Sequence, residues 1–417
     1  MLPRSQEKIK DEVEDMKSLP QLDGLIKKGV KGKRVLVRTD MNVPIERGKI
    51  SDTTRINRIV PTLKALLEAK AKVIVLSHFG RPKGEYDPDL SLAPLTDALS
   101  DELGGTEVKF AVDCIGSEAE EAVKKLKDGE ILLLENLRFH KGEKANDKKF
   151  VSELASLGDV FVNDAFSCSH REHASIVGIT TKLPSYAGYS LEKEIDELCS
   201  VLENPKRPFA AIVGGAKVST KVELLENLVK NVNFLIIGGG MANTFLYAQG
   251  VGIGKSLCEK DCKNLALKIL KTAKENNCKI ILPKDVVVAE DLEEYAKCKV
   301  TDSDHVPKDK MILDIGPKTI QEISNVLAGC KTVVWNGPMG AYEFRPFDVG
   351  TVNVARIIAH QTSNAGLISV AGGGDILSAL FKSGLRDSFS YVSTAGGAFL
   401  EWLEGKELPG ISALLKR

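Results

Sequence analysis

Residues 209–240 read FAAIVGGAKVSTKVELLENLVKNVNFLIIGGG. An apolar run, Phe209–Val213, stops at two glycines. A stretch with helical spacing, Val218–Val229, follows, then a second apolar run, Phe234–Ile237, that stops at three glycines. Strand, glycine turn, helix, strand is the unit of a parallel sheet covered on both faces. The same alternation runs outward in both directions. Upstream, short apolar runs occur at Arg34–Arg38, Lys72–Ser77, Val108–Ala111, Ile131–Leu134 and Val160–Val162; downstream, at Lys279–Leu282, Met311–Ile315, Thr332–Trp335, Leu367–Val370 and Tyr391–Ser393. Helical patterns such as Arg58–Lys70, Glu118–Lys127 and Lys260–Glu275 lie between them. About six strands per half is the size of one doubly wound sheet, so the reading is α/β, with two Rossmann-like parallel-sheet domains joined by a helical hinge. The expected division is residues 1–190 plus 404–417 for the first domain and 191–403 for the second. Residues 191–208 form the hinge helix and a linker broken by two prolines.

Composition narrows the function. The chain has 417 residues, with 57 basic and 57 acidic side chains and a formal net charge of zero. A nucleic acid or an anionic membrane would favour a basic surplus, so any anion site rests on local clustering. Eight cysteines show no paired framework, which fits a reduced, cytoplasmic chain. Neither Cys258 with Cys262 nor Cys168 with His170 and His173 completes a zinc pattern. The opening residues contain no apolar segment of signal-peptide type; Ile9, Val13 and Met16 fall at helical spacing and predict an amphipathic helix.

In open α/β sheets, ligands bind beyond the carboxyl ends of the strands. In the second half those ends are glycine turns: Gly214-Gly215-Ala216-Lys217, Gly238-Gly239-Gly240, Gly372-Gly373-Gly374-Asp375 and Ala395-Gly396-Gly397. Such turns let amide N–H groups approach an anion, and the following helix adds a positive dipole end. Lys217 and Lys221, four apart, are expected on one face of the helix after the first turn. Asp375 is either an N-cap or a carboxylate for nucleotide-bound magnesium. In the first half the ends carry Arg38 to Asn42, His78 to Arg81, Asn136 to Arg138, and Asn163 to Arg171, with Arg55 close behind the first strand. Collected at one sheet edge, these would form a positive cup for a small polyanion, since guanidinium forks match phosphate and carboxylate. Two near-motifs fail. GVGIGKS at Gly250–Ser256 lacks the first glycine of a phosphate loop, that position being Gln249, and GGGMAN at Gly238–Asn243 breaks a dinucleotide fingerprint at Asn243.

The segments VLVRTDMNVP (Val35–Pro44), SHFGRP (Ser77–Pro82), LLENLRF (Leu133–Phe139), DAFSCSHREH (Asp164–His173), GGAKVS (Gly214–Ser219), WNGPMG (Trp335–Gly340), GGGD (Gly372–Asp375) and EWLEGKELPG (Glu401–Gly410) resemble those of the phosphoglycerate kinase family. They follow one another in the family's order, and only the first twenty or so residues stand apart. The resemblance implies that Asp40, Asn42, Arg55, His78, Arg81, Arg138, His170 and Arg171 bind 3-phosphoglycerate or 1,3-bisphosphoglycerate. It implies that Gly214, Ala216, Lys217, Lys221, Gly239, Leu257, Gly316, Asn336, Pro338 and Glu343 surround ATP or ADP. Gly372, Gly373, Gly374, Asp375 and Ile376 would stand at the phosphates, with Asp375 holding Mg2+. Arg55, Lys217, Gly373 and Gly374 would be catalytic, in a glycolytic enzyme acting as a monomer in the cytoplasm. The C-terminal tail from Leu403 would return to the first domain. Two positions depart from the family: Ile376 stands where a hydroxyl is usual, and Ala395 replaces a glycine. The residues alone leave open another ATP-dependent small-molecule kinase, a nicotinamide dehydrogenase, or a non-catalytic binding module.

Overall fold

The computed structural model describes residues 18–46, 49–202 and 205–415, so the helix expected over Ile9 to Met16 lies outside the described residues. The chain divides into two compact units. One runs to Cys199 and takes up the chain again from Glu407; the other is Ser200–Lys406. The helix Tyr189–Leu202 carries the chain from the first to the second.

The first unit is built on six parallel strands: β1 (Arg34–Arg38), β2 (Lys72–Leu76), β3 (Val108–Ala111), β4 (Ile131–Leu134), β5 (Val160–Asn163) and β6 (Ser185–Ala187), in the order β3-β4-β2-β1-β5-β6. Strand side chains alternate between faces, so two separate cores are needed. Val35, Val37, Val73, Val75, Ile131 and Leu133 pack on one face against Ile56, Ile59, Leu63 and Leu66 of the helix Thr54–Glu68. Leu36, Ile74, Leu76, Leu132 and Leu134 pack on the other, against Ala119 and Val123 of the helix Gly116–Lys125 and Phe150, Val151 and Leu154 of the helix Lys148–Ser156. Each fully buried aliphatic side chain contributes ~1.5–3 kcal/mol. The strand ends are therefore fixed points from which polar side chains can be aimed. The short strand Ser185–Ala187 was not among the expected runs; it extends the sheet along β5, with Phe161 opposite Ser185.

The second unit also has six parallel strands, β7 (Phe209–Val213), β8 (Phe234–Ile237), β9 (Lys279–Ile281), β13 (Thr332–Asn336), β14 (Ile368–Gly372) and β15 (Tyr391–Ser393), in the order β9-β8-β7-β13-β14-β15. Between β9 and β13 lies a separate sheet: β10 (Asp285–Ala289), flanked by β11 (Lys299–Asp302) and β12 (Met311–Ile315), all antiparallel. This corrects the reading of Met311–Ile315 as one of the parallel strands. A parallel neighbour requires a crossover helix, and between β10 and β12 the chain forms β11 and no helix longer than the 3-10 turn Ser303–His305.

The tail divides later than the motif implied. Leu403 accepts a hydrogen bond from Asn227 Nδ2 at 2.6 Å, and Lys406 pairs with Glu223, both within the second unit. Beyond Glu407 the helix Pro409–Leu415 packs in the first, where Gly410 N donates to Ser169 O at 2.8 Å. No helix among the described residues is long and apolar enough to cross a membrane.

Candidate functional site

In the first unit the polar loops after β1, β2, β4 and β5 meet. Asp40 is buried just beyond β1. Its carboxylate pairs with Arg55, in the first turn of the helix Thr54–Glu68, and accepts hydrogen bonds from Ser167 Oγ at 2.5 Å and Asn42 N at 3.1 Å. Burial alone would raise the Asp40 pKa, but the Arg55 guanidinium and these hydrogen bonds outweigh it and hold the group down at about 2. Asn42 Oδ1 accepts from Gly80 N at 2.8 Å, and Arg138 Nη1 donates to Gly80 O at 2.8 Å, so two of the expected residues grip one turn.

Histidines face arginines here. His78 is buried, and burial together with Arg38, Arg138 and Arg55 drives its pKa well below the ordinary range. Burial and Arg171 push His170 down to about 4, and burial and Arg38 push His173 down to about 3. These imidazoles are neutral near pH 7, so the positive charge resides on guanidiniums. Among the described residues, two nitrogens stay buried without a partner: Arg138 Nε and His170 Nδ1. A buried unpaired donor costs ~1–3 kcal/mol, and an oxyanion ligand would satisfy it. Arg171 is exposed beside this group. Arg81 is exposed too, and among the described residues no hydrogen bond or ion pair joins it to the cluster.

Sequence reading missed what holds the cup in shape. Arg38 is fully buried. Its Nε donates to Ser175 Oγ at 2.9 Å, Nη1 donates to Thr39 O, and Nη2 lies 3.1 Å from His78 Nδ1. Ser175 Oγ in turn donates to the fully buried Glu143, at 2.7 Å, and Ser175 N donates to its second oxygen at 3.0 Å. Glu143 lies in KGEKA, which reads as an ordinary surface turn of helix, and its partners are 32 residues away.

In the second unit the glycine turns border a cavity of about 320 Å³ lined by Gly215, Ala216, Gly239, Leu257, Met311, Leu313, Pro338, Glu343 and Asp375. Of the expected nucleotide residues, Ala216, Gly239, Leu257, Pro338, Glu343 and Asp375 line it, and Gly214, Gly316, Asn336 and Gly372 do not. Asn336 binds three strand ends together. Its carbonyl accepts from Gly214 N at 2.8 Å, its Nδ2 donates to Gly372 O at 2.6 Å, and its Oδ1 accepts from Lys221 Nζ at 2.5 Å. Gly239, at φ +68, leaves no room for a Cβ, which would stand 2.6 Å from Gly215 O.

The two lysines do not share a helical face. The helix begins at Val222, and residues 218–221 form a turn closed by Lys221 N donating to Val218 O. Glu259 pins that turn by accepting from Ser219 N and Oγ, at 3.0 and 2.5 Å. Lys217 is exposed, whereas Lys221 is half-buried and also donates to Gly214 O at 2.7 Å. The Ile376 side chain is fully buried in the apolar core, so the first turn of the helix Gly374–Lys382 offers an anion only its amides there. Ala395 has no positive φ, so alanine is unstrained at that position. Gly373, at φ +111, opens the helix that carries Asp375. Asp375 is exposed at the cavity and makes no salt bridge among the described residues. An exposed carboxylate beside a phosphate-sized turn suits Mg2+, which takes one or two carboxylates plus phosphate oxygens.

Burial pushes the Lys221 pKa down to about 8, with Asp375 opposing. A bound polyphosphate favours the charged amine and raises that value again. Nucleotide binding therefore takes up protons, most strongly above pH 8, and affinity falls by up to ~10-fold per pH unit on the alkaline side. Titration calorimetry in buffers of different ionisation heat is expected to show this uptake, and Lys221→Met to abolish it.

The family model described as Phosphoglycerate kinase matches residues 25–406. A relative from Methylorubrum extorquens strain PA1, named phosphoglycerate kinase, is 54% identical over 385 residues, covering 92% of this chain and 96% of its own. One of the same name from Azorhizobium caulinodans is 54% identical over 396 residues, covering 95% and 100%. Among solved structures, phosphoglycerate kinase from Coxiella burnetii superimposes with a TM-score of 0.84 at 43% identity, covering 95% of this chain and 98% of that one. The enzyme from Pyrococcus horikoshii OT3 gives 0.78 at 30%, with the same coverage.

Proposed function

The chain belongs to the phosphoglycerate kinase family, and from that premise we propose how its residues divide the work of the reaction. The chain is a glycolytic phosphotransferase with a carboxyl group as acceptor. The phosphoryl group of 1,3-bisphosphoglycerate passes reversibly to ADP, giving ATP and 3-phosphoglycerate. Another small-molecule kinase is not favoured.

One observation carries the assignment of roles: guanidiniums gather at the strand ends of one unit, and glycine turns ring a largely apolar cavity in the other. The first set takes the acid. Asp40 and Asn42 bind its hydroxyl, while Arg81, Arg138 and Arg171, with Arg55, take its phosphate and carboxylate. Neutral His170 orients that carboxylate or Arg171. The acceptor carboxylate is already ionised at neutral pH, so no general base is required. The barrier is repulsion between anions, and catalysis consists of positioning and charge stabilisation. Arg55 and Lys217 bear on the transferring phosphoryl group, and the amides of Gly373 and Gly374 support it. Asp375 would hold Mg2+ with the nucleotide, and the ion would supply charge neutralisation at the phosphate oxygens.

Arg55 and Lys217 belong to different units. Turnover therefore requires the two units to close on each other about residues 191–208, excluding water from the phosphoryl group. Eight free cysteines suit action in a reducing cytoplasm, and we assign a monomer. A coupled assay tests the whole reading. ATP consumption should depend on 3-phosphoglycerate, and Asp375→Asn should raise the Mg2+ needed for half-maximal rate by at least about tenfold. Preference for a different acid, or Mg2+ dependence unchanged in that variant, would overturn the corresponding assignment.

A further inference from the structure

Beyond β3 the chain turns through Asp113 and Cys114, and His140 precedes the helix Lys141–Ala145. The ligand atoms of Asp113, Cys114 and His140 all lie within 4.8 Å of one another. His140 Nε2 is 2.6 Å from Asp113 Oδ1. None of the three belongs to the substrate cup or the nucleotide cavity.

A hydrogen-bonded histidine and aspartate beside a buried thiol is an ordinary sight, so the case rests on two further facts. Cys114 is fully buried, and no other side chain among the described residues hydrogen-bonds its thiol, although the sulfur lies within 4.8 Å of the pair. A buried polar group normally finds a partner. Access is open on one side, since the side chains of His140 and Asp113 are 30% and 40% exposed. The parts are held in place: Cys114 N donates to Asp113 Oδ1 at 2.6 Å, and the His140 ring lies 5.5 Å from that of Phe150.

We propose that Asp113, Cys114 and His140 bind a zinc ion, with water in the fourth position. One thiolate, one imidazole and one carboxylate form a borderline-soft donor set that suits Zn2+ and not Mg2+ or Ca2+. Tetrahedral bonds of ~2.0–2.3 Å place ligand atoms roughly 3.5 Å apart, within reach of small side-chain adjustments from the present cluster. The ion enters between His140 and Asp113, replaces the hydrogen bond that joins them and displaces the thiol proton to solvent.

Cobalt(II), which reports thiolate ligation by its absorption, is the probe. Reduced wild-type protein titrated with Co2+ is expected to develop a sulfur-to-cobalt charge-transfer band and tetrahedral visible bands, saturating at one ion per chain. Zn2+ should abolish them, and excess Mg2+ should not. Cys114→Ser is expected to remove the charge-transfer band, and His140→Gln to weaken Co2+ binding by at least about tenfold. The second variant decides the matter if the first fails to fold. A control lacking the more accessible thiols, C258S/C262S/C298S, should keep the full signal. No band in the wild type, a band that survives in Cys114→Ser, affinity unchanged in His140→Gln, or a signal lost in the triple variant would each overturn the site.

Discussion

Replacing Arg55 with methionine is expected to lower turnover by ~10³-fold or more, the range for an arginine acting on a transferring phosphoryl group. Nucleotide affinity should stay within about twofold, because every residue bordering the nucleotide cavity lies in the other unit. Arg55 has a second duty that the experiment must separate from the first. It is the cation opposite Asp40, whose side chain is only 11% exposed. Without it, Asp40 keeps the hydroxyl of Ser167 and the amide of Asn42 but loses its charge partner, and its pKa rises from about 2. A folded pKa depressed below the unfolded value stabilises the protein above the unfolded value, and that stability is lost as pH falls toward 2. The methionine variant should therefore be somewhat less stable at pH 7 and should lose less of its stability on acidification. Arg55→Lys restores the charge without the fork. It should recover most of the stability and little of the turnover, since the guanidinium geometry is not reproduced. Turnover within tenfold of wild type in Arg55→Met would remove Arg55 from the chemistry and leave it as a partner of Asp40.

The two sheets were legible because their strands are buried on both faces, which writes them as unbroken apolar runs such as Val73–Leu76 and Leu132–Leu134. Ser185–Ala187 was not, since only Ala187 of its three residues is buried and no apolar run marks it. The antiparallel sheet was missed for a related reason. Val300 is exposed and Lys299–Asp302 is mostly polar, so pairing with β10, not burial, makes it a strand. In the candidate site, the residues that face a ligand could be read because they follow strands. Those that hold them could not. Ser175 and Glu143 reach Arg38 only after folding, and Glu259 fixes the turn of Ser219 from 40 residues away. That pin also explains the misplaced helix start: apolar spacing runs through Val218, but the backbone turns there because a distant carboxylate holds it.

Gly214→Ala should be the most damaging single-methyl change in the second unit. Gly214 has no positive φ, so the effect is one of space and not of backbone strain. An added Cβ would lie 1.8 Å from Pro338 O, 2.6 Å from Pro338 C and 2.8 Å from Gly337 O, all backbone. The loop cannot easily retreat. Trp335 Nε1 donates to Gly337 O at 2.7 Å, Met339 N donates to Thr351 Oγ1 at 3.0 Å, and Gly239 N donates to Met339 O at 2.8 Å. Nor can Gly214 itself, whose amide is bound to Asn336 and whose carbonyl accepts from Lys221. Overpacking a site with free neighbours costs ~1–3 kcal/mol, and here the neighbours are held, so the upper end or beyond is expected. That lowers the melting temperature of a unit of this size by roughly 5–10 °C. Pro338 and Met339 both line the cavity, so nucleotide affinity should fall by at least about tenfold, as read by calorimetry, while binding of 3-phosphoglycerate to the first unit persists. Gly252→Ala is the matched control: nothing lies within 4 Å of its added Cβ, and its φ is not positive. It should leave stability and nucleotide binding unchanged. Equal damage from both substitutions would mean that the contact between Gly214 and the Pro338 carbonyl does not set the wall of the nucleotide cavity.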